Sequence, residues 1–195
     1  MSVPQAGAAP RSPYWPVPVA RAVPALAVGL YITFSADHSA ALGLVLFGAF
    51  ALVSGLLLVL LRGRIADRVV RANFVTQGIS GILLGIVALA FHGGGLGLLL
   101  LLLTAFMAIT GFLELYSGLR ARRHPGAARD WLTVGAFTAV AALVFLLIPQ
   151  SAILTIGLFG AYGILLGVYL VIAGLSLKWG TDTSRATSAP AERKN

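Results

Sequence analysis

The chain contains no cysteine, which excludes a disulfide framework and any thiolate-ligated metal site. Charge is scarce too. Only 10% of residues are Asp, Glu, Lys or Arg, against about 25% in ordinary soluble domains. Acidic residues are the rarest, six against fourteen basic ones. No Ser/His/Asp set, metal-ligand cluster, phosphate loop or dinucleotide motif occurs, so the sequence points to no enzyme and to no cofactor. What is abundant is apolar: 58% of the 195 residues are hydrophobic. That balance places the chain in the membrane class and leaves no room for a second, soluble domain.

The clearest stretch runs from Arg71 to Arg120. Two apolar segments of about 20 residues flank the turn FHGGG, with arginines at both outer ends. Each segment is long enough to cross a hydrocarbon core of roughly 30 Å as a helix. Neither keeps a polar face for water. The stretch therefore reads as a transmembrane hairpin, and the rest of the chain repeats it twice. The spans fall at about 19–36, 40–61, 72–91, 96–119, 131–148 and 152–177. The fold class is all-α, a polytopic membrane protein of six helices in three hairpins.

Arg21 and Pro24 lie in the first turns of the first span, where a missing N–H costs little. Ser39, Asp130 and Ser151 are N-cap candidates for the second, fifth and sixth spans. RGRIADRVVR, residues 62–71, reads as a short interfacial helix or an extension of the third span. The proline-rich residues 1–18 and the polar residues 179–195 read as disordered tails. No cleavable signal is read at the start, where Arg11 and prolines come before an apolar run that continues into a span.

All fourteen Lys and Arg fall on one side of this layout. None lies in the turns at 37–39, 92–95 or 149–151. Short-loop basic residues set orientation, so both termini are expected in the cytoplasm and the chain in a bacterial inner (plasma) membrane. Trp15, Trp131 and Trp179 fall near the same interface, where indole rings anchor. The arginine clusters suit the anionic headgroups of the cytoplasmic leaflet. Nucleic acid is not an expected partner, because these loops are short and carry no interleaved aromatics.

Glycines repeat. Gly55, Gly111 and Gly167 are 56 residues apart, as are Gly29 and Gly85, and Gly118 and Gly174; Gly78 and Gly135 differ by one more. Gly81 and Gly85 match the small-residue contact pattern of membrane helices, as do Gly160, Gly163, Gly167 and Gly174. Such faces fit packing within one chain, in a homo-oligomer or against another membrane protein.

Glu114 is the sole acidic residue inside an expected span. An ionisable group in lipid is costly and is a functional candidate by default. Six residues before Arg120, it also suits a structural anchor to an arginine or a polar neighbour, and the anchor is favoured over a proton relay. Asn73, Gln77 and Ser80 share one helix face and read as interhelical hydrogen-bonding groups. His38 and His92 occupy equivalent outer turns. Histidine titrates near physiological pH, so they are candidates for outward pH sensing, with plain solvated loop residues the commoner reading.

Three short-looped hairpins with these features resemble the HdeD family of acid-resistance membrane proteins. The likeness rests on Asn73-Phe74 with Gly78 and Asp130-Trp131 with Gly135. It extends to Pro149 at an outer turn, GFLELYSGLRAR at 111–122 and YGILLGVYLVIAGLSLK in the last span, and covers about residues 19–178. The first two outer turns depart from it, with ADHS and HGGG in place of proline. The resemblance implies a non-enzymatic role in tolerating acid or envelope stress and supplies no catalytic residues. The alternatives are a small proton-coupled transporter or channel using Glu114, and a structural subunit of a larger membrane complex.

Overall fold

The structure, a computed structural model, describes residues 14–65, 67–121 and 125–179. Six helices follow one another: α1 (Pro16–Phe34), α2 (Ala40–Leu60), α3 (Arg68–Ala90), α4 (Gly95–Arg120), α5 (Pro125–Leu147) and α6 (Ala152–Trp179). A single 3₁₀ turn, Leu61–Arg64, extends α2. No strand occurs among the described residues. All six helices are long and apolar enough to cross a membrane, the architecture of a multi-pass membrane protein. Many large apolar side chains face outward, among them Phe34, Leu101, Phe112 and Leu146. Such a surface suits lipid and not water.

Local chemistry explains most of the ends. Ser39 caps α2, its Oγ accepting from the Leu42 N–H at 3.3 Å. Ser151 does the same for Leu154 at 3.4 Å. Asp67 caps α3 through the Val69 and Val70 N–H groups at 2.8 and 3.1 Å, so part of the basic connection becomes an extension of the third span. At the His92–Gly95 reversal, Gly95 takes φ +75°, a left-handed conformation that glycine adopts without steric cost.

Three expectations need correcting. First, α1 begins at Pro16, so the tail does not reach residue 18. Tyr14, Val17 and Pro18 are already buried, and apolar burial extends the helix past the sequence boundary. Pro24 consequently lies well inside α1, where its ring removes the bond to the Ala20 carbonyl. The remaining tail positions, 1–13 and 180–195, lie outside the described residues. Second, Asp130 does not cap α5, which starts at Pro125. Its carboxylate instead accepts from the Tyr169 hydroxyl at 3.2 Å. Third, Trp131 is no interface anchor. It is 5% exposed, edge-on to Tyr14 at 5.2 Å and 5.6 Å from Phe74.

Packing ties the three hairpins to one another. The closest neighbours are α2 with α3, α4 with α5, and α6 with α1. Each even helix packs tightly on the odd helix that follows it, and α6 closes the ring on α1. The glycine seams do this. A Cβ at Gly55 would lie 2.9 Å from the Ile82 nitrogen, at Gly111 2.7 Å from the Ala139 nitrogen, and at Gly167 3.1 Å from the Leu26 nitrogen. Leu26, Ile82 and Ala139 are themselves one repeat apart, so the same contact is made three times. Gly81 and Gly85 likewise lie against the Ala51 and Gly48 carbonyls of α2, at 3.0 and 2.8 Å for an added Cβ. Gly160, Gly163 and Gly174 lie against Ile32, the Ala25 carbonyl and Val19 of α1. These faces are consumed within one chain.

The even helices meet at the centre. Phe47 and Phe50 of α2 contact Phe106 of α4 and Phe159 of α6 edge to face, with ring centroids 5.6–6.1 Å apart. This geometry is favourable beyond the area it buries.

Candidate functional site

Two turns from the basic end of α4, Glu114 is fully buried, at 0% exposure. The Arg21 guanidinium of α1, 8% exposed, donates to its Oε1 and forms an ion pair. Gln77 Nε2 of α3 donates to the same oxygen at 3.2 Å. Three helices are thus joined by one carboxylate. An isolated charge here would be expensive, whereas a paired and hydrogen-bonded one is tolerated.

Aromatic side chains floor the pair. The Arg21 guanidinium carbon lies 5.8 Å from the Phe74 ring centroid, within cation–π range. Phe74 packs on Trp131, whose indole N–H donates to the Tyr14 hydroxyl. Burial pushes the Tyr14 phenol above its ordinary pKa, so it stays neutral as the acceptor. One turn away, Asn73 Nδ2 donates to Ser117 Oγ at 3.1 Å, and Ser117 donates to the Leu113 carbonyl at 2.7 Å.

The repeat register gives this node its meaning. Leu58, Glu114 and Leu170 are equivalent positions on α2, α4 and α6, each 56 residues from the next, and all three are buried. On the odd helices, Arg21, Gln77 and Val134 correspond, at spacings of 56 and 57 residues. Both polar members of the odd set converge on the one carboxylate of the even set.

Of the sequence candidates, Glu114 and Gln77 come together, and Asn73 lies beside them. Ser80 turns away and bonds the Thr76 carbonyl of its own helix at 2.8 Å. His38 and His92 sit exposed at the opposite end, bonding the carbonyls of Ala36 in the same connection and Leu89 in the last turn of α3, at 3.4 and 3.2 Å. Sequence reading missed Arg21 as the partner and took it for a topology marker. The signal was present, since Arg21 and Gln77 are one repeat apart.

The described residues contain no cluster of three or more His, Cys, Asp or Glu able to hold a metal ion. Residues 76–147 match a family described as a short repeat of unknown function (DUF308). That match takes in Gln77 and Glu114 and leaves Arg21 outside. No curated protein and no solved structure matches the chain.

Proposed function

We propose that this chain is a non-enzymatic component of the bacterial inner membrane, of the HdeD-like kind, with both termini cytoplasmic and a role in tolerance of acid or envelope stress. The short-repeat match supports this reading, because that family is associated with HdeD-like membrane proteins. The single observation that carries it is the Arg21–Glu114–Gln77 node. The buried acid of α4 is engaged by two partners from two other helices, as a structural lock would be. Outward of it, Phe47, Phe50, Phe106 and Phe159 pack the centre of the bundle. A transporter would use Glu114 for a moving proton, whereas a lock keeps it paired with Arg21.

Two measurements test the reading. Deleting the gene should lower survival of an acid challenge, and restoring the intact chain should recover it. The purified protein in proteoliposomes should pass protons no faster than empty vesicles. Proton flux above that background, abolished by Glu114→Gln in a folded protein, would overturn the lock and favour the transporter.

A further inference from the structure

Just outward of the ion pair, a small cavity of about 20 Å³ (the volume a water centre can occupy) lies among the even helices. Room for one water begins at roughly 10–15 Å³ on this measure. Polar residues of five helices line it: Arg21 of α1, Ser54 of α2, Gln77 of α3, Thr110 of α4 and Tyr162 of α6. Ser54 and Gln77 are only 8% and 3% exposed, and Ser54 Oγ and Gln77 Oε1 have no hydrogen-bond partner among the described residues. Buried oxygens of this kind are satisfied as a rule, by protein or by an ordered water.

The repeat places the cavity. Phe50, Phe106 and Tyr162, one repeat apart, line it on the outward side, and Leu58 and Leu170 line it toward the basic end. Between these rings is the level of Ser54, Thr110 and Leu166. Apolar cavities stay dry, but a polar one with two or more partners retains water.

We propose that this cavity is a binding site for a single water molecule, which accepts from the Ser54 hydroxyl and donates to Gln77 Oε1. The volume excludes a larger ligand. The Arg21 guanidinium in the lining disfavours a cation. Gln77 then holds Glu114 with its nitrogen and the water with its oxygen, and the water extends the three-helix node to α2. This inference does not depend on the stress-tolerance reading.

X-ray radiolytic footprinting of the full chain in detergent tests it, because hydroxyl radicals formed from bound water label the side chains beside it. Phe50 and Phe106 line the cavity. Phe47 and Phe159, 0% and 1% exposed against 4% and 6% for Phe50 and Phe106, are core rings outside it, so the Ser54→Val comparison carries the decision. Phe50 and Phe106 should be labelled several-fold faster than Phe47 and Phe159. Ser54→Val removes the donor and fills space, and should bring all four rings to the slow rate. Equal, slow labelling of all four rings in the unmodified protein would overturn the site without any variant. So would fast labelling that persists in a folded Ser54→Val protein.

Discussion

At one level of the bundle, the three repeats give two different answers to the same packing problem. Leu58 and Leu170 fill their positions with apolar side chains, whereas the middle repeat uses Glu114. The odd helices follow suit, with Val134 in the third repeat against Arg21 and Gln77 in the first two. The fold as such therefore does not require charge at this level. What charge adds is selectivity of pairing. Leucines and glycine seams are nearly interchangeable among repeats, but a buried guanidinium can be accommodated only where the carboxylate is. We read the node as fixing which odd helix lies where around α4, a specificity role attested for some buried polar groups.

The largest effect should come from breaking the pair on one side. Arg21→Leu or Glu114→Leu leaves a buried charge without its partner, a loss of about 3–5 kcal/mol. Replacing both by leucine makes the middle repeat resemble its neighbours, and the double variant should recover most of that loss. Denaturant unfolding in detergent would give the three values. A double variant as unstable as the sum of the singles would mean that the two side chains act independently. Glu114→Gln looks mild from sequence alone, since an amide keeps the hydrogen bonds. With Arg21 buried opposite, it should instead behave almost as badly as Leu, because the cation remains and its counter-charge is gone.

Much of this was legible in the sequence because the bilayer imposes long apolar segments. The six spans and the short turns within the hairpins follow from hydropathy and turn residues alone, and the Ser39 and Ser151 caps from local hydrogen bonding. The side-chain partners were harder. Arg21 and Glu114 are 93 residues apart, and no local pattern links them. Helix pairing was not legible from the turns, because a short turn makes two helices consecutive without making them the closest neighbours. The glycines carried that information. Gly55 and Gly78 lie on opposite sides of one basic connection, and the seam between them decides that α2 packs on α3. Only the three-fold register, extended from glycine to the polar positions, would have placed Arg21 and Gln77 at one level.

The seams offer the next comparison. Gly55, Gly111 and Gly167 make equivalent contacts, so a leucine at any of them should do similar damage. Overpacking typically costs about 1–3 kcal/mol, and here the obstacle is a neighbouring backbone that cannot rotate aside. Gly163→Leu should behave alike, since an added Cβ would already lie 2.7 Å from the Ala25 carbonyl. Leu158→Ala, at a half-buried position, is the milder control. Melting in detergent should fall clearly for each glycine variant and less for Leu158→Ala. A harmless leucine at Gly167 beside a damaging one at Gly55 would show that the closure of α6 on α1 is looser than the other two seams.

The smallest effect tests the aromatic ring on the side of the node away from the basic end. Two of its members are Phe50 and Phe106, and the third is Tyr162, whose hydroxyl lies 3.0 Å from Thr138 Oγ1. Thr138 is again the odd one out, standing where the first two repeats have Ala25 and Gly81. The two polar substitutions therefore arise together in the third repeat and satisfy each other. Tyr162→Phe removes one neutral hydrogen bond, a net loss of about 1 kcal/mol. Thr138 offsets part of it, because a helical threonine hydroxyl can turn back to the carbonyl four residues earlier. The ring stack of Tyr162 on Phe137, 5.4 Å between centroids and 5° from parallel, needs no hydroxyl and should survive. The variant should thus melt within a few degrees of the parent, and pairing it with Thr138→Ala should erase most of the remaining difference. A loss as large as that of Arg21→Leu would mean that the Tyr162 hydroxyl serves the cavity it lines and not Thr138 alone.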